Sequence, residues 1–307
     1  MRLKRMGEGG PKVPAVCFGT WPLGGAYGGF KEGTAIATMH AAMDAGLTFI
    51  DTAEGYMNAE AIIGKAIRGR RGELFIATKV SGYDHSEENI RRALSNSLRK
   101  IGTDHIDLYQ LHHATERPIE DTIADLLKIK DEGKIKYIGV SNFSSDQIRE
   151  AARSGEIHSG QPRYNMLFRE AEDDLLPAYA ENGIGVMAHS VLAKGLLGGR
   201  YKPGATFSPE DERYSWPAFK GESFKKTYEI TKRLQAWAAD RGRDIVQLAI
   251  AWPISNPAVY TSIVGARKPE DLAILASAGT WELSEQELIE IDQIQGDHRL
   301  FIEDQNI

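Results

Sequence analysis

The sequence contains a single cysteine, Cys17, so no disulfide can form within the chain, and a reducing compartment suits it. It contains no apolar run of about 18 residues, so no membrane-spanning helix is predicted. The basic start MRLKRMGEGG leads into glycines instead of an apolar segment, so no signal peptide is predicted. The formal charge is −6 with both signs mixed, whereas nucleic-acid binding needs a basic face. We therefore expect a soluble cytoplasmic protein with no membrane or nucleic-acid partner and no metal site.

Short apolar runs alternate with longer amphipathic stretches along the chain. The apolar runs predict strands at 15–19, 47–51, 74–78, 106–111, 136–140, 157–161, 184–188 and 260–264. The stretches between them predict helices at 33–46, 59–68, 86–101, 118–132, 144–154, 172–182, 225–241 and 269–278. Eight such units in 307 residues predict an α/β protein with one domain, 1–307, folded as a closed (β/α)8 TIM barrel. The alternative is an open doubly wound sheet, but the chain lacks the G-x-G-x-x-G segment that usually follows its first strand.

Three segments lie outside this alternation. Residues 2–14 predict an N-terminal β-hairpin that turns at 7–10 and plugs the amino-terminal mouth of the barrel. Ser284 and Glu287 form a capping-box pattern, which predicts an extra C-terminal helix. Residues 201–224 contain three prolines and predict a long loop after the seventh strand, and loops of this length in compact domains are usually functional or disordered.

Polar side chains stand at the ends of successive predicted strands. Asp51, Lys79, His112, Asn142 and Gln161 end or closely follow the second to sixth strands. The carboxyl ends of barrel strands converge on one face, where barrel enzymes build their active sites. We therefore expect these five side chains to meet there.

Tyr56, five residues after Asp51, can act as an acid in such a group. A phenol has a pKa of about 10, and a nearby ammonium lowers that value because it favours the phenolate. Lys79 can supply the ammonium, and a partly buried lysine needs a carboxylate partner, for which Asp51 is the candidate. His112 can then orient a carbonyl oxygen by donating a hydrogen bond, and His113 beside it has the weaker case.

The same segments resemble the aldo-keto reductase family. The resemblance runs from about residue 13 to about residue 278, over seven motifs in the family's order. Asp51 and Tyr56 match the family's Asp-x4-Tyr spacing, and His112 matches its catalytic histidine. The motifs are DTAEGYMNAEAIIGKAI, FIATKV, DHIDLYQLHH, GVSNF, QPRYNMLFR, IGVMAHSVLAKGLLGGRY and IVGARKPEDL.

The resemblance implies the reduction of an aldehyde or ketone by hydride from NADPH, with NADH as a possible cofactor. Tyr56 is then the proton donor, Lys79 and Asp51 tune it, and His112 orients the carbonyl. The residues implied to contact the cofactor are Thr20, Trp21, Asp51, Ser141, Asn142, Gln161, His189, Ser190, Leu192, Lys194, Gly195, Gly265, Arg267 and Lys268. Those implied to line the substrate pocket are Trp21, Tyr56, Tyr83, His112 and His113.

The chain departs from the family pattern at several positions. His189 replaces an aromatic residue that usually stacks on the nicotinamide, and an imidazole stacks with less area. Met57 replaces a frequent glycine. Ile274 and Leu275 replace polar residues around the adenine, and an acidic Asp271 is expected to repel the 2′-phosphate of NADPH.

Two other functions remain open at this point. A Schiff-base aldolase on the same barrel would use Lys79 as its nucleophile, which requires a neutral lysine. The resemblance also covers regulatory subunits of potassium channels, which bind the cofactor and serve mainly as partners, although the acidic balance of this chain argues against that role. The carbonyl substrate and the oligomeric state stay open.

Overall fold

The computed structural model describes residues 1–27 and 31–300. Eight parallel strands, β3 to β10, close into a barrel in chain order, and β10 pairs with β3 to complete it. The strands are β1 (Leu3–Arg5), β2 (Lys12–Pro14), β3 (Val16–Gly19), β4 (Phe49–Asp51), β5 (Phe75–Val80), β6 (Ile106–Leu111), β7 (Ile135–Ser141), β8 (Ser159–Gln161), β9 (Gly185–Ala188) and β10 (Val259–Val264). The predicted (β/α)8 TIM barrel is confirmed, and the alternative of an open sheet is wrong. The end of the predicted domain 1–307 lies outside the described residues, so the single domain stays a prediction.

Helices connect the strands and surround the barrel. They are α1 (Trp21–Gly24), α2 (Glu32–Asp44), α3 (Ala59–Ala66), α4 (Glu87–Ile101), α5 (Ile119–Asp131), α6 (Ser145–Ser154), α7 (Leu175–Glu181), α8 (Gly221–Ala239), α9 (Ile245–Ile254), α10 (Leu272–Ala278) and α11 (Glu285–Gln295). The helix α11 is the predicted extra helix, and it begins at the capping box of Ser284 and Glu287. None of the helices in the described ranges is long and apolar enough to cross a membrane.

The helix α9 is missing from the sequence prediction. All of its residues are buried, because it packs between α8, α10 and the strand β10. A helix that is apolar on every side shows no amphipathic period, which is the signal used to predict helices. Asp244 and Gln247 form a capping box at its start, and this pattern could have revealed it.

The hairpin of β1 and β2 closes the amino-terminal end of the barrel, as predicted. Its turn donates a hydrogen bond from the Glu8 N–H to the Gly183 carbonyl (2.6 Å), and the Lys4 ammonium donates to the Ile254 carbonyl (2.9 Å). Hairpin side chains join those that fill the barrel interior, which are Met6, Val13, Cys17, Phe49, Ala77, Leu108, Met187, Tyr260 and Ile263. The part of the interior that these side chains fill is therefore a packed core.

Strand register places the polar strand ends above this core. Ala77 and Leu108 face the interior, and Lys79 and Gln110 lie two residues further along the same strands, paired with each other. Side chains two residues apart in a strand point to the same side. Lys79 and Gln110 therefore continue the interior layers toward the carboxyl end of the barrel.

The predicted loop 201–224 is a packed loop as far as residue 220, with short 3₁₀ helices at Glu212–Tyr214 and Pro217–Phe219, and its last four residues instead form the start of α8. The Arg213 guanidinium lies over the rings of Tyr27 and Phe207, 4.7 Å from each ring centroid. Further rings of the loop contact one another edge to face, namely Tyr201, Phe207 and Phe219. These contacts hold the loop against the carboxyl-terminal side of the barrel.

Candidate active site

A cleft of about 1090 Å³ opens at the carboxyl ends of the barrel strands. It brings together nearly all of the predicted site residues: Trp21, Asp51, Tyr56, Tyr83, His112, His113, Ser141, Asn142, Gln161, His189, Ser190, Leu192, Lys194, Gly195, Gly265, Arg267 and Lys268. Thr20 and Lys79 instead lie fully buried behind its wall. The Thr20 hydroxyl donates to the Asp51 carbonyl (3.0 Å), so it supports the cleft and does not face it.

Lys79 is the centre of a buried hydrogen-bond network. Its ammonium is fully buried and donates to both carboxylate oxygens of Asp51 (2.8 and 3.0 Å) and to the Thr52 carbonyl (3.0 Å). It also lies 3.3 Å from the Tyr56 hydroxyl. Burial acts to lower the pKa of Lys79, but the Asp51 carboxylate and Tyr56 outweigh it, and the pKa is raised. Lys79 is therefore a charged ammonium, not a neutral nucleophile.

The expected lowering of the Tyr56 pKa is wrong, because the pKa of Tyr56 is raised. Burial raises the pKa of Tyr56 and is the largest effect, while the Lys79 ammonium acts in the opposite direction and only reduces the rise. Burial disfavours a phenolate because it removes the negative charge from water. Tyr56 is therefore a protonated phenol with a cation in contact.

His112 is a neutral imidazole whose orientation is fixed by Ser81. Burial, together with the charge of Lys79, lowers the pKa of His112 to about 2. Its Nδ1 lies 2.8 Å from the Ser81 hydroxyl, which also accepts the Gly55 N–H (3.3 Å). A hydroxyl that accepts there can still donate its own proton to Nδ1. In that tautomer the imidazole proton is on Nε2, and Nε2–H is the donor available to the cleft.

Three of the residues implied to contact the cofactor donate their hydrogen bonds inward. Gln161 Nε2 donates to Asp51 Oδ1 (3.0 Å), Asn142 Nδ2 donates to the His112 carbonyl (3.1 Å), and the Ser141 hydroxyl donates to the Gln161 carbonyl (3.0 Å). With these donors engaged, the amide carbonyl oxygens are left to accept from a ligand. Gln110, which the sequence analysis missed, donates to Asp51 Oδ1 (3.4 Å) and accepts from Gln161 (3.2 Å).

Several residues of the predicted cofactor segments have strained backbones. Asn142, Ser190, Ala193 and Lys194 have φ values between 47° and 58°, in the left-handed region that residues other than glycine rarely adopt. Such strain persists only where the surrounding structure enforces it, and it concentrates at functional sites. A Cβ at Gly195 would lie 2.8 Å from the Tyr201 ring, so this turn admits only glycine without displacing the ring.

Glu212 bridges two sides of the cleft, and the sequence analysis missed it. Its carboxylate accepts from the Trp21 indole (3.3 Å) and from the Lys194 ammonium (3.3 Å). Trp21 follows the first barrel strand and Lys194 follows the seventh, so the loop 201–224 crosses the cleft between them. The loop is therefore part of the site.

The far end of the cleft carries charges of both signs. Arg267 and Lys268 are exposed there. Arg200, which the sequence analysis did not predict, forms an ion pair with Asp271 (3.1 Å). Arg200 therefore places a positive charge beside Asp271, and the expected repulsion between Asp271 and a 2′-phosphate stays a prediction. Ile274 and Leu275 line the same end.

His189 is half-buried in the wall of the cleft. Its Nδ1 lies 3.0 Å from the Ser190 hydroxyl, and its Nε2 is buried with no partner among residues 1–27 and 31–300. Burial, with the charge of Arg163, lowers the pKa of His189 to about 3, so the ring is neutral. Its expected stacking on a nicotinamide stays a prediction.

Comparisons with known proteins agree with this architecture. The family model described as "Aldo/keto reductase family" matches residues 15–295. The chain is 35% identical to "Aldo-keto reductase YhdN" of Bacillus subtilis (strain 168), over 96% of this chain and 93% of that protein. It is 33% identical to "Probable voltage-gated potassium channel subunit beta" of Arabidopsis thaliana, over 89% of each chain. A solved structure of the glycerol dehydrogenase AKR11B4 from Gluconobacter oxydans matches with a TM-score of 0.88 and 29% identity, over 99% of this chain and 98% of that one. The chain belongs to the aldo/keto reductase family.

Proposed function

We propose that this protein reduces an aldehyde or a ketone to an alcohol with NADPH, and that Tyr56 donates the proton to the carbonyl oxygen. The observation that carries this proposal is the Lys79 ammonium, which is buried, held by Asp51 and 3.3 Å from the Tyr56 hydroxyl at the edge of the cleft. A fixed positive charge beside the phenol lowers the free energy of the phenolate that remains after proton transfer.

The raised pKa of Tyr56 suits a proton donor, because a donor must hold its proton before the reaction. The phenol and the His112 Nε2–H then offer two hydrogen bonds to one carbonyl oxygen. The neutral state of His112 makes it a donor that orients the carbonyl, while Tyr56 is the acid. Asp51 keeps the ammonium charged, and Gln110 and Gln161 hold Asp51 in place.

The cleft suits a nicotinamide dinucleotide, which supplies the hydride when it is bound. The inward donation by Ser141, Asn142 and Gln161 leaves oxygens for the N–H groups of a carboxamide. The turn around Ser190 and Gly195, strained and free of a blocking Cβ, suits close approach of a pyrophosphate to backbone N–H groups. These two features support a fit of the cleft to the carboxamide and to the pyrophosphate of the cofactor.

The charges at the far end of the cleft favour NADPH and leave room for NADH. Arg267 and Lys268 suit a 2′-phosphate, which guanidinium and ammonium groups bind through charge-assisted hydrogen bonds. Asp271 suits a ribose hydroxyl, as acids do in NAD sites. Its ion pair with Arg200 is largely exposed, with Arg200 72% accessible, so a phosphate can compete for that arginine.

The second candidate is a cofactor-binding regulatory subunit, because one relative is described as a probable potassium channel subunit. Both candidates predict cofactor binding, and only the reductase predicts turnover. The Schiff-base alternative is disfavoured by the burial and the charge of Lys79. The glycerol dehydrogenase named above suggests the oxidation of an alcohol as the reverse direction of the proposed reaction.

The test compares the wild type with Tyr56→Phe, using NADPH consumption with a panel of aldehydes and ketones and cofactor fluorescence for binding. We expect NADPH to bind both proteins alike, and turnover to fall by about 10²–10⁴-fold in the variant, the usual contribution of a positioned acid. Tyr214→Phe is the matched control, since this tyrosine is exposed in the loop. Binding without turnover in the wild type would favour the regulatory subunit, and normal turnover in Tyr56→Phe would remove Tyr56 as the proton donor.

A further inference from the structure

A second cavity, of about 360 Å³, lies between the carboxyl-terminal turns of α3 and α4. Barrel helices run antiparallel to the strands, so these turns lie at the amino-terminal end of the barrel, opposite the cleft. Gly64 of α3 and Lys100 of α4 both line the cavity, and the helices meet closely there. A Cβ on Gly64 would lie 2.2 Å from the Lys100 carbonyl oxygen, so this approach requires glycine.

Five cationic side chains line this cavity, which we call the basic pocket. They are Lys65, Arg68, Arg71, Arg99 and Lys100. Among the described residues, none that lines the basic pocket carries a carboxylate. The chain as a whole has a formal charge of −6, so this grouping of one sign runs against its overall balance. A concave surface lined by one sign of charge raises the local concentration of oppositely charged ligands.

Two of the five cations, Arg68 and Arg99, have no carboxylate partner within residues 1–27 and 31–300. Arg68 forms no hydrogen bond or ion pair there, and Arg99 donates only to the Asn96 side chain (2.8 Å). Arg71 is instead held by Asp107 (2.7 Å) and by backbone carbonyls, so it belongs to the wall of the pocket. The guanidinium groups of Arg68 and Arg99 are therefore available to a ligand.

The two lysines are paired with carboxylates outside the lining. Lys65 lies 2.6 Å from Glu32, and Lys100 lies 3.5 Å from Glu60. The Lys100 contact is long, and a stronger acceptor can replace it. Lys100 is therefore a third cation within reach of an anion that binds between Arg68 and Arg99.

Helix dipoles account for only part of this charge. Cations stabilise the carboxyl end of a helix, and Arg99 stands in the last turn of α4. Each helix end carries about half a negative charge, so the two ends together offset about one cation. Arg68 and Arg99 exceed that amount, and Arg68 lies beyond the end of α3. An excess of positive charge therefore remains in the basic pocket.

We propose that the basic pocket binds a small phosphorylated compound through Arg68 and Arg99, with Lys100 as the third cation. Guanidinium groups bind phosphate oxygens through paired, charge-assisted hydrogen bonds. The volume is about a third of that of the cleft, which suits a phosphate ester or a diphosphate and not a whole dinucleotide. The site is separate from the cleft and does not depend on the proposed reductase function.

The test titrates inorganic pyrophosphate into the full chain and measures binding by calorimetry at low, fixed ionic strength, because salt screens exposed charges. NADPH is added at saturation to occupy the cleft, and Arg267→Ala reveals any pyrophosphate that binds there instead. Combining Arg68→Gln with Arg99→Gln should weaken pyrophosphate binding by at least about 10-fold, because two charged hydrogen-bond donors are lost. Both side chains are exposed, so the core is not disturbed.

The matched control is Arg153→Gln. Arg153 is an exposed arginine in the last turn of α6 and lines neither cavity. Its removal should change pyrophosphate binding by less than about twofold, since a charge on another helix is screened.

Four results would overturn the proposal. The wild type does not bind pyrophosphate, the double variant retains wild-type affinity, Arg153→Gln causes an equal loss, or the binding is lost in Arg267→Ala. Retention of the wild type on phosphatidylserine vesicles without any pyrophosphate binding also overturns it, because the cations would then serve a flat anionic surface.

Discussion

Two buried aspartates of the barrel strands, Asp107 and Asp51, lie near opposite ends of the barrel, and cations bind them in different ways. At the amino-terminal end, Asp107 accepts from Arg71 (2.7 Å), from the Ile76 N–H (2.9 Å) and from Lys136 (2.9 Å). At the carboxyl-terminal end, Asp51 accepts from Lys79, and that ammonium also donates to the Thr52 carbonyl and contacts the Tyr56 hydroxyl at the cleft. Asp107 is enclosed by its hydrogen-bond partners. The Asp51–Lys79 pair instead contacts Tyr56, a titratable side chain that a ligand can reach.

The comparison distinguishes a buried ion pair that only stabilises the fold from one that also contacts a candidate site. Both aspartates are buried and both are satisfied, so burial and ion pairing alone do not mark an active site. What marks it is a charged group that contacts a titratable side chain open to a cavity. Barrel enzymes carry their chemistry at the carboxyl ends of the strands, and the candidate site of this molecule lies at that end.

The largest expected effect comes from Lys79→Met. Turnover should fall by about 10²–10⁴-fold, because Tyr56 loses the cation beside it. The free energy of unfolding should fall by about 3–5 kcal/mol, because Asp51 stays buried without its counter-ion. Steady-state rates and urea unfolding measure the two effects. Lys136→Met at the other end is the control, since this lysine is 52% exposed and should change turnover little. Equal losses of activity in both variants would remove the distinction between the two ends.

Asp107→Asn should affect stability alone, by about 2–3 kcal/mol at neutral pH. Burial acts to raise the pKa of Asp107, but its hydrogen bonds from Ile76 and Lys136 and the charge of Arg71 outweigh it, and the pKa lies below the usual 3.8. The stabilisation is therefore present above about pH 4 and is lost as the pH falls through the folded-state pKa. Unfolding of both proteins at pH 7 and pH 3 checks this, and a difference as large at pH 3 as at pH 7 would contradict the ionic origin.

His112→Gln should change how stability depends on pH. The pKa of His112 is lowered to about 2 in the folded protein, so below its usual 6.5 the unfolded chain binds a proton that the folded chain does not. The free energy of unfolding should thus fall as the pH drops from 6.5 to 4. In the variant, the slope of the free energy of unfolding against pH should be smaller by up to about 1.4 kcal/mol per pH unit. The exposed His40→Gln is the control. An unchanged slope in His112→Gln would mean that His112 already carries a proton in the folded state.

The smallest effect on stability should come from Asp271→Asn, whose partner Arg200 is 72% exposed. Exposed ion pairs contribute about 0–1 kcal/mol, far less than the two buried groups. The same variant should bind NADPH more tightly relative to NADH, since a negative charge near the 2′-phosphate is removed. Dissociation constants for both cofactors at fixed ionic strength measure this, and a parallel change for both would place Asp271 away from the 2′-phosphate.

Site residues at the ends of strands could be predicted from the sequence. Site residues that are placed by packing across the barrel could not. Asp51, Lys79 and His112 were found because each follows an apolar run, and their convergence follows from barrel geometry. Gln110 was missed because it lies inside such a run, and Glu212 because its loop is placed by aromatic contacts without a sequence period. The direction of the Tyr56 pKa shift was wrong because burial, which decides it, cannot be judged from the neighbouring residues in the chain.

The single thiol inside the barrel has a practical consequence. Cys17 is fully buried between the hairpin and the layer that contains Asp51 and Lys79, and burial raises the pKa of its thiol well above the usual range. A soluble thiol reagent can react with it only after the strands separate. The rate of Cys17 labelling in native buffer therefore reports how often the barrel opens. Opening kinetics can be measured in this way without an engineered cysteine.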